Sequence, residues 1–215
     1  MSARMDEIKH ICLDLNKTLI KENTWLELNR AMGMSNEEDQ MLLDLGVEGI
    51  ISYAEAQSII SRIYMNRGKA YRKNIEDVIF NYTFIESAKE TVQYLQESGY
   101  TVSLITAAFQ SLADRVGEEL GIEMRSGNNI LIFDEHDYLE SLVVIGDENL
   151  WKMRELENFC RKLGIEVTET ACIGDGDNEY LMFERCEHGV TFKGSPIEDE
   201  AWKVINRFQD LKDIF

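Results

Sequence analysis

Proline is nearly missing from this chain: Pro196 is the only one in 215 residues. With no repeat and no biased tract either, this excludes a proline-rich linker or a low-complexity tether. No apolar run approaches the roughly twenty residues that a membrane span requires. The N-terminus, Met1 to Glu7, lacks the apolar centre of a signal peptide. A cytoplasmic protein with no membrane partner is expected. Histidine is scarce, and His10, His136 and His188 share no metal-ligand spacing. The four cysteines (Cys12, Cys160, Cys172, Cys186) show no paired spacing, which argues against a disulfide framework and a zinc cluster. Cys12 and Cys172 fall in strand-like runs and read as small buried hydrophobes. The largest deficit is in positive charge: 22 lysines and arginines stand against 40 acids, for a net charge of −18. Nucleic acid is excluded as a partner, because binding a phosphate backbone requires a cationic surface. An anionic small molecule is admitted only where a metal ion or a well-placed lysine reverses the sign locally.

The chain is organised around Ile11-Cys12-Leu13-Asp14-Leu15-Asn16-Lys17-Thr18. Ile8 to Leu15 is branched and apolar and breaks into polar residues, the pattern of a buried strand entering a loop. A second such stretch is Ala171-Cys172-Ile173-Gly174-Asp175-Gly176-Asp177-Asn178-Glu179. In open α/β sheets ligands bind beyond the C-terminal ends of strands. Asp14 and Asp175 therefore qualify as a pair that converges on a hard, oxygen-seeking cation.

Between about Lys21 and Tyr82 no strand is apparent. Glu27 to Met34, Ser35 to Leu45 and Tyr53 to Arg67 read as short helices broken by Gly33, Gly46, Gly49 and Gly68. From Phe84 the pattern alternates. Ser87 and Glu90 have capping-box spacing ahead of a helix whose face is Ala88, Val92 and Leu95. Tyr100 to Thr106 is a strand, and Leu112, Val116 and Leu120 mark a helix. Ile130 to Phe133 and Leu139 to Ile145 suggest a hairpin. A longer helix runs from Leu150 to Gly164 with Asp147 as its N-cap. Thr170 to Ile173 is a strand, Tyr180 to Arg185 a short helix and Gly189 to Phe192 a strand. Alternation of this kind implies an α/β fold, a doubly wound parallel sheet. Residues 1–20 and 83–215 form the Rossmann-like core, and 21–82 a separate helical insertion.

These stretches, in this order, resemble the haloacid dehalogenase-like superfamily of hydrolases, and within it the phosphoserine-phosphatase-like branch. Asp14-Leu-Asn-Lys-Thr18 is similar to that superfamily's Asp-x-Asp-x-Thr motif, and Thr106 to its strand-end Ser or Thr. Lys152 lies in a helix 23 residues before Asp175, similar to the third motif. Gly174 to Glu179 resembles Gly-Asp-Gly-x-Asn-Asp, and residues 187–196 the strand and loop beyond it. The insertion sits where the branch carries its cap. The resemblance implies a Mg2+-dependent phosphomonoester hydrolase that acts on a small phosphorylated metabolite through an aspartyl-phosphate on Asp14. It implies catalytic roles for Asp14, Asn16, Thr106 and Lys152. The metal would be held by Asp14, the Asn16 carbonyl and Asp175, with Glu179 reaching it through water. The substrate would meet Thr106, Ala107, Lys152 and Asn178.

The sequence departs from the family pattern at three places. Asn16 replaces the aspartate that protonates the leaving alcohol and then activates water, and an amide does neither. That substitution admits an alternative, a catalytically weakened relative that binds a phosphorylated ligand without turning it over. It also admits carbon–halogen displacement, whose leaving halide needs no acid. Glu22, at the start of the insertion, is a candidate substitute base, against the simpler expectation of a solvated glutamate. Glu179 stands where the fourth motif ends in Asp. The insertion offers Asn23 and Tyr53 to Ser61 where the phosphoserine phosphatases place a gripping Glu and Arg, and no arginine matches.

Overall fold

The computed structural model describes residues 8–67 and 69–215, so the readings made on Met1–Glu7 and Gly68 lie outside the described residues. The sheet is built outward from β1 (His10–Leu13), four residues that are all buried. β2 (Thr101–Phe109) and β5 (Thr170–Ile173) pair with it in parallel, one on each side. Beyond β2 lie β3 (Met124–Phe133) and β4 (Leu139–Val144), joined as an antiparallel hairpin. Beyond β5 lie β6 (Gly189–Phe192) and β7 (Lys203–Ile205), both parallel. The strand order is β4-β3-β2-β1-β5-β6-β7. The chain therefore reverses its direction of travel across the sheet between β1 and β5, the switch point at which such sheets open a crevice.

Side-chain alternation along the central strands explains why helices cover both faces. Ile11, Leu13, Leu104, Ala171 and Ile173 share a core with Val92 and Leu95 of α5 (Ala88–Glu97) and Leu112 and Val116 of α6 (Gln110–Leu120). Their neighbours Cys12, Ile105 and Cys172 point the other way. These pack with Leu156 and Phe159 of α7 (Glu148–Leu163) and Met182 and Phe183 of α8 (Tyr180–Cys186). Each large side chain buried in this way stabilises the fold by about 1.5–3 kcal/mol. The doubly wound expectation holds, with β4 as the antiparallel exception.

The helical block comprises α1 (Thr24–Ala31), α2 (Asn36–Val47), α3 (Tyr53–Asn66) and α4 (Arg72–Ile79). Asn23 caps α1, and Ser35 and Ser52 form capping boxes with Glu38 and Glu55. The chain leaves and re-enters the sheet side by side: Lys21 N–H donates to the Thr83 carbonyl and Ile85 N–H to the Leu19 carbonyl, both at 2.9 Å. A third tie joins the α3–α4 connection to the β3–β4 hairpin. There Arg72 N–H donates to the Asp137 carbonyl (2.7 Å), Leu139 N–H to the Ala70 carbonyl (2.8 Å) and the Tyr138 hydroxyl to the Met65 carbonyl (2.5 Å).

Several local readings are corrected. α4 was not anticipated; its apolar anchors Ile75 and Ile79 are a single i, i+4 pair, too short a pattern to stand out. α1 begins three residues before the expected Glu27, at the Asn23 cap. Gly46 does not break its helix, which runs on to Val47. Ser87 caps nothing with its side chain: it is left-handed (φ 63°), and its hydroxyl meets the Gln209 side-chain amide instead. β2 continues past Thr106 to Phe109 through an irregularity in its pairing with β3.

Candidate active site

The first loop is set by backbone bonds. Asp14 N–H donates to the Ile173 carbonyl at 2.9 Å, which ties the residue after β1 to the end of β5. The Leu15 carbonyl then accepts from the amides of Thr18, Leu19 and Ile20, closing a tight turn with Lys17 left-handed at φ 57°. The second loop is fixed from β6 and the turn beyond it. The Thr191 hydroxyl donates to the Gly174 carbonyl (2.7 Å) and the Ser195 hydroxyl to the Asp175 carbonyl (2.9 Å). Gly174 is required here because a Cβ would stand 2.3 Å from Glu179 Cγ.

These loops open on a cavity of about 730 Å³ between the sheet and the helical block. Asp14, Asn16, Thr106, Ala107, Asp175 and Asn178 all line it. Thr106 is buried, and its Oγ1 accepts from Ala108 N–H at 3.1 Å, leaving its own proton free to donate. The Ala107 carbonyl accepts from Asn129 Nδ2 (2.7 Å) and Trp25 Nε1 (3.4 Å).

Lys152 lies beneath the cavity floor, wholly buried on α7. Its Nζ donates to Asp14 Oδ1 at 2.7 Å, to Asn178 Oδ1 at 3.2 Å and to Glu179 Oε1. Glu179 is also wholly buried, and its other oxygen accepts from Gly176 N–H at 3.0 Å. It does not line the cavity; the structure places it against Lys152 rather than toward the open space where a metal-bound water would lie.

Burial opposes the ammonium charge of Lys152, but the carboxylates of Asp14 and Glu179 outweigh it and hold its pKa above the usual lysine range. The same burial pushes Asp14 and Glu179 up, against the pull of Lys152. One ammonium does not compensate two buried carboxylates. Asp175 is raised to about 6, first by burial and then by the charge of Asp14. Three carboxylates around one lysine leave a formal excess of two negative charges.

Asn16 faces the cavity with a specific end. Its Oδ1 accepts from the Thr24 hydroxyl (3.0 Å) and backbone N–H (3.4 Å), so its Nδ2 is left as the free donor. Glu22 accepts from Thr83 N–H at 2.9 Å beside the linkers and does not line the cavity. Asp147 caps α7 through Leu150 N–H at 3.2 Å, as expected. Arg62 and Arg67 are exposed and lie outside the cavity lining; Arg67 pairs with Glu38 at 2.6 Å. Trp25, Asp39 and Glu148 line the cavity without having been anticipated. No motif marks them, since helices that the sequence leaves unordered in space bring them to it.

A family model described as haloacid dehalogenase-like hydrolase matches residues 8–187. The chain belongs to the haloacid dehalogenase-like hydrolases. Its likeness within them is to the phosphoserine-phosphatase-like branch. It is 27% identical over 206 residues to a phosphoserine phosphatase of Methanocaldococcus jannaschii, covering 96% of this chain and 95% of that one. It is 28% identical over 193 residues to a phosphoserine phosphatase of Archaeoglobus fulgidus, covering 89% of this chain and 54% of the relative. The chain thus spans about half of the second relative. Among solved structures, a phospho-aspartyl intermediate analogue of phosphoserine phosphatase superposes with TM-score 0.77 at 25% identity, covering 96% of this chain and 97% of that one. A substrate-bound phosphoserine phosphatase complex superposes with TM-score 0.78 at 25% identity, covering 96% of each. Among the described residues no helix is long and apolar enough to cross a membrane.

Proposed function

We propose that the protein is a Mg2+-dependent phosphomonoester hydrolase that takes the phosphoryl group of a small metabolite onto Asp14. The observation that carries this reading is the Asp14 carboxylate at the cavity floor, held by one oxygen to a buried lysine and leaving the other oxygen for attack. The donor set suits magnesium. Asp14, Asp175 and the Asn16 carbonyl offer the hard oxygens that Mg2+ prefers, and a divalent ion matches the two uncompensated negative charges. When bound, the ion offsets the charge on the phosphoryl oxygens. Among the described residues no cluster of three acidic, histidine or cysteine side chains is arranged to hold a metal alone. This accords with a site completed by a main-chain carbonyl, water and substrate. Thr106 and the amides following Asp14 donate to the phosphoryl oxygens, and Lys152 keeps Asp14 ionised while offsetting charge as the group transfers. Residues 21–82 serve as the cap that encloses the alcohol half of the substrate and excludes water.

Asn16 sets the rate-limiting step in this reading. Its free Nδ2 donates a hydrogen bond to the leaving oxygen but delivers no proton, and it does not deprotonate water afterwards. Esters with good leaving groups therefore phosphorylate Asp14 readily, and hydrolysis of the aspartyl-phosphate is slow. The same feature favours the second reading, a protein that binds a phosphorylated ligand and holds it. A release assay with aryl and alkyl phosphates, with and without magnesium, separates them. Magnesium-dependent phosphate release that disappears in Asp14→Ala supports the enzyme; saturable ligand binding without release supports the binder. Restoring the acid with Asn16→Asp is expected to raise alkyl phosphate turnover by about 10²–10⁴-fold, the usual worth of general acid–base assistance.

A further inference from the structure

The wall of the cavity opposite Asp14 has a polarity of its own. Among the described residues, six carboxylates line the cavity against a single cationic side chain, Lys17, which is exposed and interacts with Asp175 at the phosphate end. The cap side offers apolar surface from Trp25, Leu26, Leu42 and Ile60 and carries no lysine or arginine. Its donors are largely engaged within the protein. Trp25 Nε1 donates to Ala107, and Asn29 Nδ2 donates to Asp39 at 2.7 Å. The Tyr53 hydroxyl accepts from Asn129 Nδ2 at 3.2 Å and faces the Glu148 carboxylate. Asn23 retains a neutral amide donor at the start of α1, since its oxygen caps the helix.

The acceptors are not engaged to the same extent. Gln57 is only 6% exposed and lines the cavity, yet its Oε1 has no hydrogen-bond partner. A buried acceptor left unpaired is costly and calls for a donor from a ligand. Gln57 lies one turn along α3 from Tyr53, and the Glu148 carboxylate acts on the Tyr53 hydroxyl, so a neutral acceptor and a carboxylate flank one tyrosine on the same wall. Glu148 in turn accepts from Asn178 Nδ2 at 3.4 Å, and Asn178 accepts from Lys152. The acceptor wall is thereby joined to the phosphate end of the cavity.

We propose that the alcohol half of the substrate carries an ammonium group and no carboxylate: a phosphorylated amino alcohol, with its ammonium between Gln57 Oε1 and Glu148, rather than a phosphorylated amino acid. The proposal rests on the phosphomonoester reading above and goes beyond it by naming the substrate class. An ammonium supplies three donors to a wall short of them and one positive charge to a wall rich in carboxylates. A carboxylate in the same place would meet Glu148, and among the described residues the cap side offers no guanidinium or ammonium to pair it.

Three non-hydrolysable phosphonates that differ in one group each test this by calorimetric titration of the intact protein with magnesium present, whether or not it turns over. They are 3-aminopropylphosphonate, propylphosphonate and 2-amino-4-phosphonobutanoate. The aminopropyl compound is expected to bind at least about tenfold more tightly than either of the others, the scale of a hydrogen bond to a charged group. In Gln57→Leu that preference over propylphosphonate should shrink towards one, and Glu148→Gln should shrink it as well. Equal or tighter binding of the carboxylated compound overturns the proposal, as does equal binding of propylphosphonate. If none of the three binds, the phosphate site itself is refuted along with it. If the expected order appears without any phosphate release from the corresponding esters, the substrate class stands and the hydrolase reading fails.

Discussion

At the scale of single residues, two buried ionisable groups behave oppositely toward charge, each set by its surroundings. Lys152 is kept charged by two carboxylates, whereas His10 is kept neutral. His10 is wholly buried on β1 between the Ser103 hydroxyl (2.8 Å) and the Thr170 hydroxyl (3.0 Å). Burial lowers its pKa from 6.5 to about 4. The unfolded chain therefore takes up this proton before the folded one does. The stability contribution is fully present above about 6.5 and is lost as pH falls towards 4. At 1.36 kcal/mol per unit the loss approaches about 3 kcal/mol. Urea unfolding of the wild type and of His10→Gln at pH 7 and pH 4.5 checks this. The variant should start less stable and lose less stability on acidification; an equal loss in both would remove His10 from the acid response. Lys152 and Asp14 were legible as residue types in a motif. What the sequence did not reveal is that Glu179 turns towards the lysine, because one added methylene leaves its reach undetermined until Gly174 makes room beside it.

At the scale of elements, periodicity carried most of the information. β6 and the Gly164 end of α7 fall where expected, because glycine and alternating apolar residues bound them. The helical block was legible as helical, yet its fourth helix and the start of its first were not, since amphipathic stripes of eight residues are too short to be distinctive. The cavity wall made by Tyr53, Gln57 and Glu148 was illegible for the same reason: it depends on how α3 meets the start of α7, which no local pattern encodes. Packing between β3 and α6 depends on one glycine. A Cβ on Gly127 would lie 2.6 Å from the backbone N and Cα of Gln110 and 2.8 Å from the carbonyl carbon of Phe109. Backbone atoms do not yield as a flexible side chain does, so Gly127→Ala should destabilise by about 1–3 kcal/mol, as overpacking generally does. A lower urea midpoint with an unchanged slope would bear this out. An unchanged midpoint would mean that the strand and helix separate at little cost.

At the scale of the whole molecule, six of the 40 acidic residues line the cavity that the phosphomonoester reading assigns to a cation and a phosphate. Without metal, the raised pKa of Asp175 means that stability erodes as pH climbs from about 4 towards 6 and the folded state is forced to ionise it. Asp175→Asn should consequently make the metal-free protein more stable at pH 7, while abolishing its response to magnesium. For the wild type, magnesium at a hundred times its dissociation constant should add about 2.7 kcal/mol of unfolding free energy. Thermal unfolding of both proteins with and without magnesium reads this directly. Equal shifts in the two would place the ion elsewhere.

The central claim, that Asp14 is the group phosphorylated, is tested most directly by acid-quenching the protein during turnover of p-nitrophenyl phosphate with magnesium and mapping the adduct by mass spectrometry. One phosphoryl group per chain should be found on the peptide containing Asp14, accumulating because Asn16 does not activate water, and should be absent in Asp14→Ala. Phosphate release with no adduct on that peptide, or undiminished in Asp14→Ala, would contradict it.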